Sequence, residues 1–269
     1  MDVSIIVPTK GLNINLSRNY SSWKELGNVY IVDSAPGDDN LRSFCSKHNM
    51  QYAIFDWTGF YPKKRQWALD NLNLKYDWVL FIDDDEFVPN NFISLLNRLD
   101  PPDDCACYQV KYTNYFINQK MRFGITMKKK PLVRLGNGKF QDMLDNNTSK
   151  FDMEVHEHFI PEGTTLKLNA RLHHRQTDSF HKLTMKHLQY AAWEAKRIKS
   201  ENNFQDKTLR SSVKNACLKW NSFPIVYFFL NYIMCLGFLD GRAGFLYSVV
   251  KLNYFAAIAA ELSEKPESL

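Results

Sequence analysis

The sequence lacks the phosphate-binding loops that mark the commonest nucleotide-binding proteins. Neither the GxGxxG of a dinucleotide-binding fold nor the GxxxxGKS/T of a P-loop follows its first strand-like segment, residues 4–7. Its five cysteines are odd in number, and Cys105 and Cys107 lack both the two-residue spacer and the second pair of a zinc ribbon. These absences argue against hydride transfer, P-loop chemistry and a disulfide framework, and we expect free thiols in a reducing compartment.

Charge and hydropathy exclude further classes. The formal net charge of +5 is too small for a nucleic-acid-binding protein, but it suits phosphate-bearing substrates or an anionic membrane surface. The first residues form no basic segment followed by an apolar one, so nothing marks the chain for secretion and we expect a cytoplasmic protein. With 269 residues and 45% apolar content, the chain can form one large α/β domain with an appendage.

The first half of the chain alternates strands with helices or loops. Short β-rich segments occur at residues 4–7, 29–32, 52–55 and 78–82, the pattern of a doubly wound, mostly parallel sheet flanked by helices. Ligands of such sheets bind beyond the carboxyl ends of the strands. The polar residues that follow these four strands are Thr9 and Lys10, Asp33 and Ser34, Asp56, and Asp83 to Asp85. We therefore expect one crevice at this edge.

The segment FIDDDE, residues 81–86, ends the fourth strand with three consecutive aspartates. Carboxylates this close repel one another, and a hard divalent cation with oxygen ligands relieves the repulsion while leaving positions for phosphate. The alternative is a solvated acidic turn, which is common after strands. The metal hypothesis predicts a nucleotide diphosphate as the ligand.

A basic segment lies between the third and fourth strands. In GFYPKKRQWALDNL, residues 59–72, Pro62 suits a first helical position and places Lys63, Lys64 and Arg65 at the helix N-terminus. Backbone N–H groups and the helix dipole already attract anions there. The three cations are thus expected to hold a diphosphate, unless they form only a solvated basic turn.

Four segments together, SIIVPTKG, IVDSAPGDD, GFYPKKRQWAL and WVLFIDDDE, resemble the family 2 glycosyltransferases with the GT-A fold. Within that family the chain is most similar, over about residues 1–245, to bacterial enzymes related to the lipopolysaccharide-core β-glucosyltransferases. The resemblance implies an inverting hexosyltransferase that uses Mn²⁺ or Mg²⁺ and a nucleotide-diphosphate sugar. It further implies that Asp83 and Asp85 form the D-x-D pair, with Asp85 on the metal. The residues implied to bind the donor are Pro8, Thr9, Asp33, Lys63, Arg65, Asp83 and Asp84.

A second acidic segment, FDMEVHEHF at residues 151–159, could supply the base that removes the acceptor proton. Glu157, in the VHE shared with the relatives, is the predicted base, with Glu154 and Asp152 as alternatives. His156 could orient that carboxylate or contact phosphate. Glu157 could instead pair only with an arginine.

Two adjacent histidines follow the next β-like segment. By resemblance, His173 or His174 could complete the metal shell, and an imidazole ligand would favour manganese over magnesium. The alternative roles are contacts with the diphosphate or the acceptor. A zinc site built from these histidines, His156 and His158 matches no established spacing.

Two further segments are expected to bind the acceptor. The segment 112–124 mixes aromatic residues with Arg122 and asparagines, a composition suited to stacking on and hydrogen bonding to sugars. Arg134, in the segment PLVRL, matches an arginine of the relatives and is expected to pair with a phosphate or carboxylate.

From residue 180 the pattern becomes helical. An amphipathic helix with a basic face precedes two apolar stretches, 223–239 and 243–260, each too short or too interrupted to span a bilayer. We expect a transferase core at residues 1–178 and a C-terminal helical region at 179–269 that lies on the cytoplasmic leaflet. Burial against the core and a hairpin dipping into the bilayer are the alternatives.

Together these features predict transfer of a sugar, with UDP-glucose as the expected donor, to a hydroxyl of a bacterial lipopolysaccharide or surface-polysaccharide precursor. The alternatives are a sugar nucleotidyltransferase and a catalytically inactive membrane adaptor that keeps the fold. The residues Pro8 to Gly11 do not supply the glycine-rich first loop of a nucleotidyltransferase. Metal-dependent nucleotide binding would separate an enzyme from an adaptor.

Overall fold

A computed structural model describes residues 1–35, 37–141, 158–175, 180–200, 218 and 221–264. The chain divides into two compact units, one of residues 1–115 and 127–176 and the other of residues 116–126 and 177–269. The segment 116–126, which the sequence suggested for the transferase core, thus belongs with the C-terminal helices.

The first unit is an α/β structure built on a mixed sheet, which confirms the predicted fold class. The elements of this unit are β1 Val3–Thr9, α1 Ile14–Asn19, a 3-10 turn Tyr20–Ser22, β2 Gly27–Asp33, α2 Asp39–Lys47, β3 Gln51–Ile54, α3 Lys64–Asn71, β4 Trp78–Phe81, β5 Glu86–Phe87, α4 Asn90–Asn97, β6 Cys105–Phe116, β8 Lys128–Arg134, β9 Gly138–Phe140, β10 Phe159–Pro161 and β11 Thr164–Arg175. The sheet order is β3-β2-β1-β4-β8-β6-β11-β5, and β1 is parallel to both β2 and β4. Strand β8 is antiparallel to its neighbours β4 and β6, while β11 is parallel to β6 and antiparallel to β5.

The central strands are buried on both faces, which fixes their register. All seven residues of β1 are buried, with Ile5 and Val7 in one hydrophobic cluster and Ile6 in another on the opposite face. Helices cover both faces of such strands, so continuous apolar runs replace strict alternation. The four predicted strands agree with β1 to β4 within two residues at each end.

The second unit is helical. The predicted apolar stretch 223–239 is not one helix, because a π-helical turn and a 3-10 turn follow its first seven residues. The described elements are β7 Gln119–Lys120, α5 Phe180–Ser200, α6 Phe223–Phe229, the π turn Leu230–Met234, the 3-10 turn Gly237–Asp240 and α7 Gly241–Ser263. Of the described helices, the stretch Gly237–Ser263 is long and apolar enough to cross a membrane, so the expectation that 243–260 is too short to span was wrong. Core helices of soluble proteins share this length and composition.

His187 lies on α5 against the α7 residue Tyr254, with their ring centroids 5.1 Å apart. Burial, and secondarily the charges of Lys251 and Lys186, lower the pKa of His187 to about 4. Between about pH 6.5 and this value, the unfolded chain binds a proton that the folded chain does not bind. The contribution of His187 to stability is therefore complete above that window and is lost as the pH falls through it.

We expect His187→Gln to reduce the acid sensitivity of the fold. The urea midpoint should fall less between about pH 7.5 and about pH 4.5 in this variant than in the parent protein, because the group that takes up the proton is gone. His181→Gln, on an exposed position of the same helix, is the matched control. An equal fall in the parent and in His187→Gln would contradict the assignment.

Candidate active site

The three aspartates form a turn that begins where β4 ends. The amide of Ile82 still donates to the carbonyl of Ile6 on β1 (3.0 Å), and the turn is closed by a bond from the Glu86 amide to the Asp83 carbonyl (2.9 Å). The Asp83 amide donates in return to the Glu86 carboxylate (3.2 Å). Pairing of β1 with β4 thus places the acidic turn beside the carboxyl end of β1.

Two cations hold Asp83 and Glu86. Arg65 pairs with one oxygen of Asp83, and the Lys129 Nζ lies 2.9 Å from its other oxygen and 2.8 Å from the Glu86 carboxylate. Burial alone would raise the pKa of Asp83, but Arg65 and Lys129 outweigh it and hold that pKa well below its usual range. Burial raises the pKa of Glu86 to about 7 despite Lys129. The Lys129 ammonium also lies 5.0 Å from the centre of the Tyr112 ring.

The middle aspartate, Asp84, points toward the loop after β1. Its carboxylate accepts hydrogen bonds from the side chains of Asn13 (2.6 Å) and Thr9 (3.3 Å), and its carbonyl accepts from the side-chain Nδ2 of Asn19 (2.9 Å). Burial, followed by the charge of Asp85, raises the pKa of Asp84 to about 6. Asp84 therefore ties the acidic turn to the start of α1.

Asp85 pairs with His174. Their closest atoms, Oδ2 and Nε2, are 3.2 Å apart, and the Arg175 amide donates to the Asp85 carbonyl (2.9 Å). Burial would lower the pKa of His174, but the charge and hydrogen bond of Asp85 raise it. The antiparallel register of β11 and β5, which sets His174 opposite Glu86, brings this histidine to the acidic turn.

The two adjacent histidines have different environments. His173 packs edge-on against the Phe87 ring, with centroids 4.6 Å apart, and its Nδ1 lies 3.3 Å from the Tyr115 hydroxyl. Successive side chains of a strand point to opposite faces, so only one of the pair can meet the turn. Of the two metal ligands considered from sequence, the structure brings His174 to Asp85.

The cations at the start of α3 contact other residues of the first unit. Helix α3 begins at Lys64, so Pro62 precedes the helix instead of occupying its first position. Lys63 lies over the Trp57 ring (4.4 Å), and Lys64 donates to the Thr9 carbonyl (2.7 Å) and the Ser34 hydroxyl (2.8 Å). At least two of the three cations thus have partners within the protein, because Lys64 joins the ends of β1 and β2 and Arg65 holds Asp83.

Asp33 is buried at the end of β2. Its carboxylate accepts from the amides of Gly11 (2.8 Å) and Ala35 (2.9 Å) and from the Tyr52 hydroxyl (3.0 Å). Gly11 has a φ of +72°, which favours glycine. Asp33 therefore fixes the loop that follows Pro8 and Thr9, and its predicted contact with the base or ribose stays a prediction.

A set of three carboxylates, Asp83, Asp85 and Glu86, forms what we call the acidic cluster. One oxygen from each lies within 4.8 Å of the others, so the cluster could hold a metal ion. Hard oxygen donors at this spacing fit Mg²⁺ or Mn²⁺. The side chains of Asp83 and Asp85 are each 22% exposed, which leaves a route for an ion, whereas Glu86 is buried.

The remaining predicted residues lie elsewhere. Arg134 pairs in register with Trp78 at the start of β4, five residues or roughly 16 Å from Asp83. It donates to the Asp103 carbonyl (2.6 Å), so the structure does not bring it to the acidic cluster. Arg122 belongs to the second unit. Glu157, His156, Glu154 and Asp152 lie outside the described residues.

Sequence reasoning missed Lys129 and Asn13. Lys129 is the middle of three consecutive lysines on β8, and in a strand only alternate side chains share a face. The sequence does show an acidic segment after β4 and a run of lysines on β8. Contact between the two depends on β8 lying antiparallel beside β4.

No family model matches the sequence. A crystal structure of S. aureus TarS residues 1–349, a glycosyltransferase, is similar to 97% of this chain and 90% of that chain, with 12% sequence identity and a TM-score of 0.42.

We expect Lys129→Met to destabilise the fold by about 3 kcal/mol, because it leaves the carboxylates of Asp83 and Glu86 without their shared cation. Millimolar Mn²⁺ should restore more stability to this variant than to the parent, since a divalent cation neutralises the same carboxylates. Urea unfolding with Mn²⁺ or with chelator measures both effects. Lys128→Met, on an exposed neighbouring position, is the control, and equal midpoints for the two variants would contradict the bridge.

Proposed function

We propose that this protein is an inverting, metal-dependent glycosyltransferase of family 2. It would move a sugar, with UDP-glucose as the expected donor, to a hydroxyl of a bacterial lipopolysaccharide or surface-polysaccharide precursor. The observation that carries the proposal is the convergence at one sheet edge of the acidic cluster, the polar ends of β1 and β2, and the start of α3. Ligands of α/β sheets bind at such an edge.

The acidic cluster would hold the divalent cation, with Asp85 in direct contact and His174 as a further candidate ligand. When bound, the cation would neutralise the charge that develops on the departing diphosphate. Asp83 would approach the ribose while Arg65 and Lys129 hold its carboxylate in place. An imidazole ligand would favour Mn²⁺ over Mg²⁺.

The loops after β1 and β2 would bind the nucleotide. Pro8 and Thr9 would line the base and ribose pocket, and Asp33 would shape it through the amides of Gly11 and Ala35. Lys63 would lie near the diphosphate. The bond between Thr9 and Asp84 couples this pocket to the acidic turn.

Acceptor activation is assigned to residues outside the described part of the chain. Glu157 would remove the acceptor proton, and His156 would orient that carboxylate. Arg122 and Arg134 remain predicted acceptor or phosphate contacts. A glycolipid or oligosaccharide acceptor would place the protein at the cytoplasmic face of the cell membrane.

Calorimetric titration with UDP, GDP and dTDP, each with Mn²⁺ and with chelator, tests the donor site. We expect UDP to bind in a Mn²⁺-dependent manner to the parent protein and not to Asp85→Ala, because that variant loses the predicted metal contact. Asp104→Ala, on an exposed turn, should bind UDP as the parent does. Absence of nucleotide binding under every condition would favour an inactive adaptor.

Glu157→Gln tests the assigned base. This variant should bind UDP with unchanged affinity but transfer sugar about a thousandfold more slowly, the order expected for loss of a general base. Transfer is measured as UDP release in the presence of a membrane glycolipid extract, with the exposed Glu162→Gln as control. Transfer at the parent rate would show that Glu157 is not the base.

A further inference from the structure

The second unit has exposed apolar side chains at the end of α6 and in the turns that connect it to α7. Six side chains define what we call the tip surface: Phe229, Ile233, Met234, Leu236, Phe238 and Leu239. Their exposures reach 71% at Met234, 56% at Phe229 and 53% at Leu239. Contiguous apolar patches of this kind mark sites of interaction with a partner or a membrane.

The polar side chains of this region are turned inward. Asn231 is buried and bonds to the Ile125 amide and the Ser248 hydroxyl, each at 2.8 Å. Asp240 is buried and accepts from the amides of Arg122 and Phe123 at 3.0 Å. The tip surface can therefore leave water without either polar side chain losing its hydrogen bonds.

The backbone of the turn is also satisfied internally. The Cys235 amide donates to the Leu230 carbonyl (2.8 Å), and the Cys235 carbonyl accepts from the Gly124 amide (2.8 Å). Leu236 adopts a left-handed conformation, with φ of 58°, and its amide donates to Ile233 (3.1 Å). Backbone groups that enter an apolar environment must form hydrogen bonds within the protein, because no water is there to bond them.

Exposed cations border this apolar surface. Lys120 and Arg122 lie on the segment that Asp240 holds against the turn, and Arg242 is the second residue of α7, two residues after Asp240. Phe123, 40% exposed, lies beside Arg122. Apolar side chains rimmed by lysine and arginine complement a bilayer whose headgroups are anionic.

The length of α6 opposes a bilayer-crossing hairpin of α6 and α7, although the stretch that contains α7 is itself long enough to cross. Helix α6 has seven residues and is followed by the irregular π turn, far short of the roughly 20 residues that span a bilayer. We propose that the tip surface inserts into the headgroup boundary of an anionic bilayer, with Lys120, Arg122 and Arg242 on lipid phosphates. This inference stands apart from catalysis, because it needs neither metal nor donor.

Vesicle flotation tests the proposal with the full chain, without metal or nucleotide. The parent protein should float with vesicles of phosphatidylethanolamine and phosphatidylglycerol. Met234→Asp and Leu239→Asp should each lower the partition coefficient at least about tenfold, the order expected when one large apolar side chain no longer enters the bilayer. Because both positions are exposed, the variants should keep the parent's urea midpoint. Ile14→Asp, at a position 69% exposed on α1 of the first unit, should bind as the parent does.

The cations are tested separately. Arg242→Gln and Lys120→Gln should each weaken binding to the anionic vesicles about fivefold, and neither should change the weaker binding to phosphatidylcholine vesicles. Unchanged binding of both variants to the anionic vesicles would overturn the headgroup contacts.

Cys235 offers a direct report of insertion, since it is exposed in the same turn. With Cys217 replaced by Ser to make labelling specific, an environment-sensitive fluorophore on Cys235 should shift to shorter wavelength when the anionic vesicles are added. No shift, or flotation of Met234→Asp equal to that of the parent, would overturn the proposal. So would a dimer of the parent that Met234→Asp dissociates without vesicle binding, because the tip surface would then join two copies of the chain.

Discussion

Compensation of the charges in the acidic turn is the constraint on which the first unit depends. Four consecutive carboxylates follow β4, and each is held by at least one side chain from another part of the first unit. Arg65 and Lys129 hold Asp83, Lys129 also holds Glu86, Asn13 and Thr9 hold Asp84, and His174 holds Asp85. These partners come from the end of β1 and the loop after it, from α3, and from β8 and β11, so the turn connects many of the elements at this edge of the sheet.

The same constraint explains why the turn could hold a further cation. Arg65 and Lys129 stabilise the ionised form of Asp83, but burial raises the pKa of Asp84 to about 6 and that of Glu86 to about 7. At Glu86, burial and the neighbouring carboxylates outweigh Lys129, and at Asp84 they outweigh the hydrogen bonds of Asn13 and Thr9. A divalent ion at the acidic cluster would offset the remaining desolvation and the repulsion between the carboxylates.

Local patterns predicted the sheet, while the partners within the site depended on topology. Continuous apolar runs identified β1 to β4, and the position of the aspartates after a buried strand followed from β4 alone. The role of Lys129 did not follow, because it requires β8 to lie antiparallel beside β4. The contacts of Lys64 with the ends of β1 and β2 did not follow from the sequence either, because they depend on packing between residues distant in sequence. The choice between His173 and His174 needed the register of β11 with β5.

The proposed function requires the acidic cluster to bind a divalent cation together with a nucleotide. Crystals soaked with Mn²⁺ and UDP test it most directly through an anomalous difference map. We predict a manganese peak within about 2.5 Å of an Asp85 carboxylate oxygen, the reach of a metal–oxygen bond. Bound UDP with no manganese at the acidic cluster, or manganese held only by other residues, would contradict the account.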